Sequence, residues 1–493
     1  MDAPRQRLAQ VRRLAACAAV ALLAGCGSSG PKPPHGGPTL RLGLPILPQT
    51  LDPALVADLP SLNVAHELYA GLTRFSGAGV VPDLAESWDV DQGGLVWTFH
   101  LRKGIRWSDG RAITAEDFRH AWLRALSPAL HSAYAQAEMQ NIRGARRYRV
   151  IGSGDIGVEA LDDRTLRVTL RHPVPWLDQQ VAYPVFFPAP RRDEWSGPFR
   201  LARSSAVGLT LERNDSYWNA AAVKPRRLVL TTSGSGADGV LPHGIAAPGF
   251  PWVQTLSPRS GPALDTLSVE LLWFVARGTP LADAGARRYV AWVMTHLNLG
   301  FGPVSLIPKS IPGASTINSH RPVNIPNPSL PRLALAYTTE DAQAARIVAA
   351  LRRNRAELQT FGVELTLKAV PTLRDLVAQA GPPAQPGIDM VLLGWSSEFF
   401  DAYNILDLFP CASAFNVAQW CDRSYDRLMS RAVRTLDDHE RWRIERRLVE
   451  ILHDGVPATP LSWPVDHFSL RPGVHGFSWS PIGIYELSGL TRS

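Results

Sequence analysis

A chain of 493 residues, 45% hydrophobic and 19% charged, has the composition of an ordinary globular protein and the length for two or three domains. Of its formal charge of +7, residues 1–25 carry +3 (four arginines against Asp2), leaving the rest near +4, too little for nucleic-acid binding. No second apolar run is long enough to span a bilayer.

The N-terminus carries an address. Arg5, Arg7, Arg12 and Arg13 form a positive region, Leu14 to Leu23 is a short apolar run, and Leu23-Ala24-Gly25-Cys26 places small residues before a cysteine. This resembles the bacterial lipobox. The resemblance implies a signal peptide over 1–25 and a mature chain starting at Cys26, its thiol carrying a diacylglycerol and its amine often a third acyl chain, which exceeds marginal single-chain anchoring. A weak transmembrane anchor or an internal cysteine is the alternative. Residues 26–39, rich in Gly, Ser and Pro, read as a flexible tether because they cannot build a core.

Next come LYAGLTRF, VVPDLAESWDV and LVWTFHLRKGIRWSDGRAITAEDFRHAWLRAL, within Leu68 to Leu126. Trp97, Phe99 and Leu101 alternate with Val96, Thr98 and His100, predicting a strand with one aromatic face, and Ser108 to Gly110 supplies turn residues. Thr114 with Asp117 three positions on predicts a capped helix that buries Phe118, Ala121, Trp122 and Ala125. VEALDDRTLRVTL reads as a hairpin. Arg332 to Thr338 predicts a strand, Glu340 to Leu358 a helix, Val363 to Val370 a second strand and DMVLLGW a third, so a right-handed β-α-β crossover is expected. Asp437 and Glu440 form a capping box for a last helix to about His453, burying Ile444, Leu448, Ile451 and Leu452.

Catalytic constellations are missing. GSGDIG (Gly152 to Gly157) and GSGADG (Gly234 to Gly239) match a dinucleotide fingerprint, but neither leads into a helix that could cradle a pyrophosphate, so both read as turns. There is no phosphate loop, zincin motif or nucleophile elbow, and acids such as Asp162 and Asp163 sit at a turn. The arginines near 143–149 and 441–447 are interleaved with apolar residues and read as solvated helix faces. Cys17 leaves with the signal. Outside the membrane, Cys411 and Cys421 are expected to form a disulfide whose loop contributes about 2 to 3 kcal/mol in the entropic model, a metal site lacking further ligands being the alternative.

The order LY-x-GLT, VP-x-LAESW, WTFHLRKG-x-RWSDG, TAEDF-x-x-AW resembles the family 5 extracellular solute-binding proteins, the oligopeptide- and dipeptide-binding components of ABC importers. The likeness continues through Asp155 to Leu170, Pro173 to Arg191, Ser196 to Asn219 and Asp389 to Phe409. It implies an α/β fold: a bilobal periplasmic-binding-protein-like clamp (type II, family 5) with an inserted extra domain. Lobe I would comprise 40–75, 188–263 and 468–493, the inserted domain II 76–187, and lobe III 264–467. The implied protein is a lipid-anchored monomer, exported to the bacterial cell membrane, with no enzymatic activity, cofactor, metal or nucleic-acid partner. It would bind short peptides between the lobes and deliver them to ABC permease and ATPase subunits.

By position, Ala57, Asp58 and Leu59 stand where lobe I offers its backbone edge, and Gly394, Trp395, Ser396 and Ser397 where lobe III does. Glu398 takes the place of an Asp that in peptide-binding members holds the ligand's α-ammonium; a carboxylate suits a desolvated ammonium, and its extra methylene shifts or enlarges the subsite. Two departures weaken the inferred specificity. Ser233 to Ser260 holds only Gly-, Pro- and Ser-rich sequence where members have a helix and a GEID-like segment, and Arg277 replaces a common Asn. Another solute on the same fold (an oligosaccharide or a chelate), and an envelope lipoprotein that has lost ligand binding and transport, remain alternatives. If LAGC is a lipobox, Cys26→Ala abolishes lipid modification and leaves the protein unprocessed or released; membrane fractionation and the mass of the mature protein check this, and an unchanged mass shift refutes it.

Overall fold

Alternation in Val96–Leu101 becomes a buried face: Trp97, Phe99 and Leu101 are inside and the residues between them half-exposed. The computed structural model describes residues 37–493 except 45–46, 57, 190–192, 233–235, 242–262, 298, 300–303, 318–327, 340, 381–386 and 414. This strand is second in an antiparallel four-stranded sheet, in the order Ala85–Asp91, Val96–Leu101, Thr165–Thr169, Val158–Asp162. The DDRT turn closes its hairpin, the Arg164 N–H donating to Asp162 Oδ1 at 2.7 Å. Helix Ala115–Ala125 is capped by Asp117 Oδ2, which accepts from the Thr114 N–H at 2.9 Å. Its buried face is Phe118, Ala121, Trp122 and Ala125, and the Trp122 indole donates to the Phe186 carbonyl at 2.7 Å.

Two larger sheets flank this unit in sequence. The first is mixed and six-stranded, in the order Ser469–Leu470, Gly239–Val240, Thr39–Gly43, Arg227–Thr231, Gly208–Arg213, Phe199–Ser205. The second has five strands, in the order Leu365–Val370, Leu333–Thr338, Met390–Ser396, Ser268–Phe274, Ala458–Ser462. The chain leaves the first sheet after Val240 and returns to it at Ser469, and both passages run through one antiparallel pair, Ala263–Asp265 with Val465–His467. Two adjacent crossings of this kind suit a hinge.

In the second sheet Leu333–Thr338 pairs in parallel with both Leu365–Val370 and Met390–Ser396, as the β-α-β reading predicts. The expected single helix to Leu358 is instead two, Ala342–Arg353 and Arg355–Thr360. Asn354 lies between them, and its side-chain amide donates to the Ala350 carbonyl at 3.0 Å, a local bond that competes with the backbone ladder. The last helix, Asp438–Gly455, is capped by Asp437 and buries Ile444, Leu448 and Leu452, with Ile451 half-buried. A disulfide joins Cys411 to Cys421, tying the loop after Tyr403–Leu406 to the start of helix Arg423–Ala432.

Neither glycine motif opens a helix. Gly152 and Gly154 take positive φ between helix Ala145–Ile151 and strand Val158–Asp162. The second motif, where described, leads into Gly239–Val240, which pairs in parallel with Leu42 and Gly43. Most of Ser233 to Ser260 lies outside the described residues, as does Cys26 with the signal region. No helix among the described residues is long and apolar enough to cross a membrane.

The Trp122 bond gives a direct test. Trp122→Phe keeps most of the ring but leaves the Phe186 carbonyl without its donor, so it destabilises by about 1 to 3 kcal/mol. Urea unfolding measures this; an unchanged midpoint would show that the carbonyl finds another partner.

Candidate ligand-binding site

Strand Met390–Ser396 has unequal neighbours. Its register with Ser268–Phe274 covers the whole strand, whereas that with Leu333–Thr338 covers only Met390 to Leu392. Among the described residues, Leu393 to Ser396 thus have a strand partner on one side only, an edge to which an extended chain could add. A Cβ at Gly394 would stand 2.3 Å from Glu270 Oε1, so a larger residue there would push that side chain aside. The Trp395 indole donates to Asn404 Oδ1 at 2.7 Å and its ring meets Phe415 edge-on, leaving it a half-buried wall. Ser396 is exposed and bonds across the strands to Ser268; Ser397 is buried, its N–H donating to the Leu267 carbonyl and its hydroxyl unpartnered. Arg277 is exposed.

Beyond Ser397 the chain wedges against the part of the molecule that carries the four-stranded sheet. The Tyr183 hydroxyl donates to the Glu398 carbonyl at 2.6 Å, and Gln179 Oε1 accepts from the Phe400 N–H at 2.6 Å. Trp176 stacks on Phe399 at 4.6 Å and 9°, and leans on Tyr403 at 4.7 Å. From the other side, buried Arg441 holds buried Asp401 through two nitrogens at 2.8 and 2.9 Å and also reaches Asp438 at 2.6 Å. Glu445 lies 3.9 Å from Arg441, and burial with the nearby Asp401 pushes its carboxyl up to about 10.

At this junction Glu398 is half-buried, and its Oε1 accepts from the Tyr134 hydroxyl at 3.1 Å. It also bonds to the carboxyl of Glu138, which is only 7% exposed and whose Oε2 accepts from Gln180 Nε2 at 2.9 Å. Burial first, and the Glu398 charge second, hold the Glu138 carboxyl well above the usual carboxylate range. Burial and the two acids likewise raise the Tyr134 hydroxyl. The hydroxyls and the Gln180 amide are already engaged as donors, while Gln180 Oε1 is buried without a partner. Among the described residues no basic group acts on Glu138, Tyr134 or Tyr183. An acceptor-rich, donor-poor junction suits a cation.

Sequence reasoning did not single out Glu138, Tyr134, Tyr183 or Gln180. Glu138 closes the short helix Ala133–Glu138, and an acid at a helix end reads as solvated until tertiary packing buries it. In the lobe I segment, the described residues Asp58 and Leu59 stand at the start of a helix. Asp58 caps helix Leu59–Leu68, its Oδ1 accepting from the Ser61 N–H at 2.9 Å and its Oδ2 from the Ser61 hydroxyl at 2.7 Å. Leu59 opens that helix and packs toward Gly483, and Ala57 lies outside the described residues. The Asp-Leu-Pro-Ser sequence, with its acid cap and early proline, favours the helix start. No cluster of three or more metal-ligating side chains is present among the described residues.

Two α/β sheets joined by adjacent crossing strands, with an acceptor-lined junction at an open strand edge, define a solute-binding clamp. Residues 79–240 match the model for bacterial extracellular solute-binding proteins, family 5 middle. The chain is 28% identical over 481 residues to the probable deoxycholate-binding periplasmic protein YgiS of Escherichia coli, covering 87% of this chain and 89% of that one. It is 25% identical to the oligopeptide-binding protein OppA of Bacillus subtilis, over 90% of each. The crystal structure of Haemophilus influenzae OppA in complex with RPPGFSPFR superposes with a TM-score of 0.69 at 21% identity, over 92% of this chain and 99% of that one. The fold is that of a bilobal α/β clamp, and these likenesses support a family 5 extracellular solute-binding protein, a class of exported binding components.

The Arg441 contacts carry their own test. Arg441→Met leaves Asp401 buried without its counter-charge and destabilises by about 3 to 5 kcal/mol, and adding Asp401→Asn recovers part of that loss. Denaturant unfolding of the single and double variants measures both; equal stabilities would show that the pair carries no load.

Proposed function

We propose that this protein is the lipid-anchored substrate-binding component of an ABC importer, taking short peptides with a free α-amino group into the cleft and delivering them to a permease. The boundaries of its lobes and inserted domain are those given by the sequence. The observation that carries the reading is the acceptor-rich junction at Glu398, which forms no ion pair among the described residues and lies immediately after the edge Leu393 to Ser396. The edge suits the repeating N–H and C=O groups of any peptide, and the acid suits its ammonium. The names of several relatives, oligopeptide- and dipeptide-binding proteins among them, support the same ligand class. A bile-salt anion of the kind named for the Escherichia coli relative fits this junction poorly, because its charge would face two acids.

Glu398→Gln keeps the shape and removes the charge. It weakens binding of trialanine, tetraalanine or pentaalanine by about 2 to 5 kcal/mol if the ion pair is desolvated. N-acetylation of the peptide weakens wild-type binding by a similar amount and adds little in the variant, since both changes remove one interaction. Calorimetry on the four combinations gives the coupling. Indifference to acetylation would move the ammonium away from Glu398, and no binding by a varied peptide library would favour another solute or a protein without transport function.

A further inference from the structure

Glu138 and Glu398 share one junction: Tyr134, one helical turn before Glu138, donates to Glu398 Oε1 at 3.1 Å, and Gln180 Nε2 donates to Glu138 Oε2 at 2.9 Å; two carboxyls brought together this way share a hydrogen bond only if they hold one proton. The partners come from distant parts of the chain: Glu138 ends helix Ala133–Glu138, and Glu398 follows strand Met390–Ser396. Tyr134 on the same helix, Gln180 at the end of helix Leu177–Gln180, and Tyr183 complete the surroundings. The two tyrosines are neutral, the glutamine cannot titrate, and no cation among the described residues compensates the acids. The shared proton therefore occupies the place that a cationic ligand would fill. Two ionised carboxylates this close are unfavourable without a positive charge, and a ligand ammonium supplies one.

We infer that Glu138 is a second ligand-binding carboxylate, and that a peptide α-ammonium entering the site displaces the proton it shares with Glu398. This deepens the peptide-binding reading and rests on it. The proton balance is explicit: the free site holds one proton and net charge −1, the ammonium enters, the proton leaves to solvent, and both acids end ionised around one ammonium. Gln180 Oε1, buried and unpartnered, is a further acceptor beside Glu138. Because the proton competes with the ligand, affinity rises with pH for as long as the free pair remains protonated.

The test uses the tightest binder among trialanine, tetraalanine and pentaalanine. Calorimetry at about pH 6 in phosphate and in imidazole, buffers of different ionisation enthalpy, is expected to show up to about one proton released per peptide, with affinity rising as pH rises, by at most roughly tenfold per pH unit. Glu138→Gln places an amide donor where the protonated acid donates. It is expected to keep acetylation-sensitive binding while losing proton release and the pH slope, and its unliganded melting temperature reports that the fold is intact. Wild type that rejects acetylated peptide yet releases no proton overturns this inference and leaves the peptide-binding reading standing. Undiminished proton release in Glu138→Gln assigns the proton to another group and also overturns it. Failure to distinguish acetylated from free peptide defeats the peptide-binding reading and this inference together.

Discussion

The buried ion pair between Arg441 and Asp401 is the contact on which the candidate site depends most directly. Asp401 lies three residues after Glu398, and Arg441 is set in the first turns of the helix Asp438–Gly455. A charge pair removed from water persists only with good geometry and further bonds, and this one has two nitrogens on the same carboxylate oxygen plus the Thr435 carbonyl and Asp438 on the same guanidinium. It anchors the segment after strand Met390–Ser396, which Trp176, Gln179 and Tyr183 also hold. The same cluster contains Glu445, neutral at physiological pH because burial and Asp401 disfavour its ionised form.

That anchorage explains why the binding chemistry falls at a junction between units. The segment 398–403 is gripped by aromatic stacking and by two hydrogen bonds to its backbone, so the Glu398 backbone is positioned while its side chain meets Tyr134 and Glu138. Affinity for an extended ligand and selection of its charged end can then be separated. In the proposed reading the edge Leu393 to Ser396 offers generic backbone pairing, and the acid pair reads charge. The two short paired strands through which the chain passes between the large sheets suit a hinge.

Much of this molecule was legible from the chain alone. Period-two burial located Val96–Leu101, capping boxes located the starts of helices Ala115–Ala125 and Asp438–Gly455, and the β-α-β order of the second sheet followed from alternating apolar patterns. These signals are local, because backbone periodicity and side-chain capping act over a few residues. The order of motifs carried the family, and Glu398 could be named from its place after Trp395. The break at Asn354 was within reach in principle, since asparagine often leaves helices, but its effect depended on whether its side chain bonded the preceding turn.

Tertiary structure alone decided what surrounds Glu398. Glu138 is 260 residues away in sequence, and Tyr134, Gln180 and Tyr183 carry no motif that links them to it. The reason is physical: whether an acid is a solvated surface group or half of a proton-sharing pair depends on desolvation and on neighbours brought by distant segments. Asp58 shows the converse, a residue whose short-range role as a helix cap is legible from the local Asp-Leu-Pro-Ser sequence. The sequence by itself determined most of the elements and their order, because those rest on nearby residues; folding decided which acids meet, because burial and charge pairing are properties of the assembled structure.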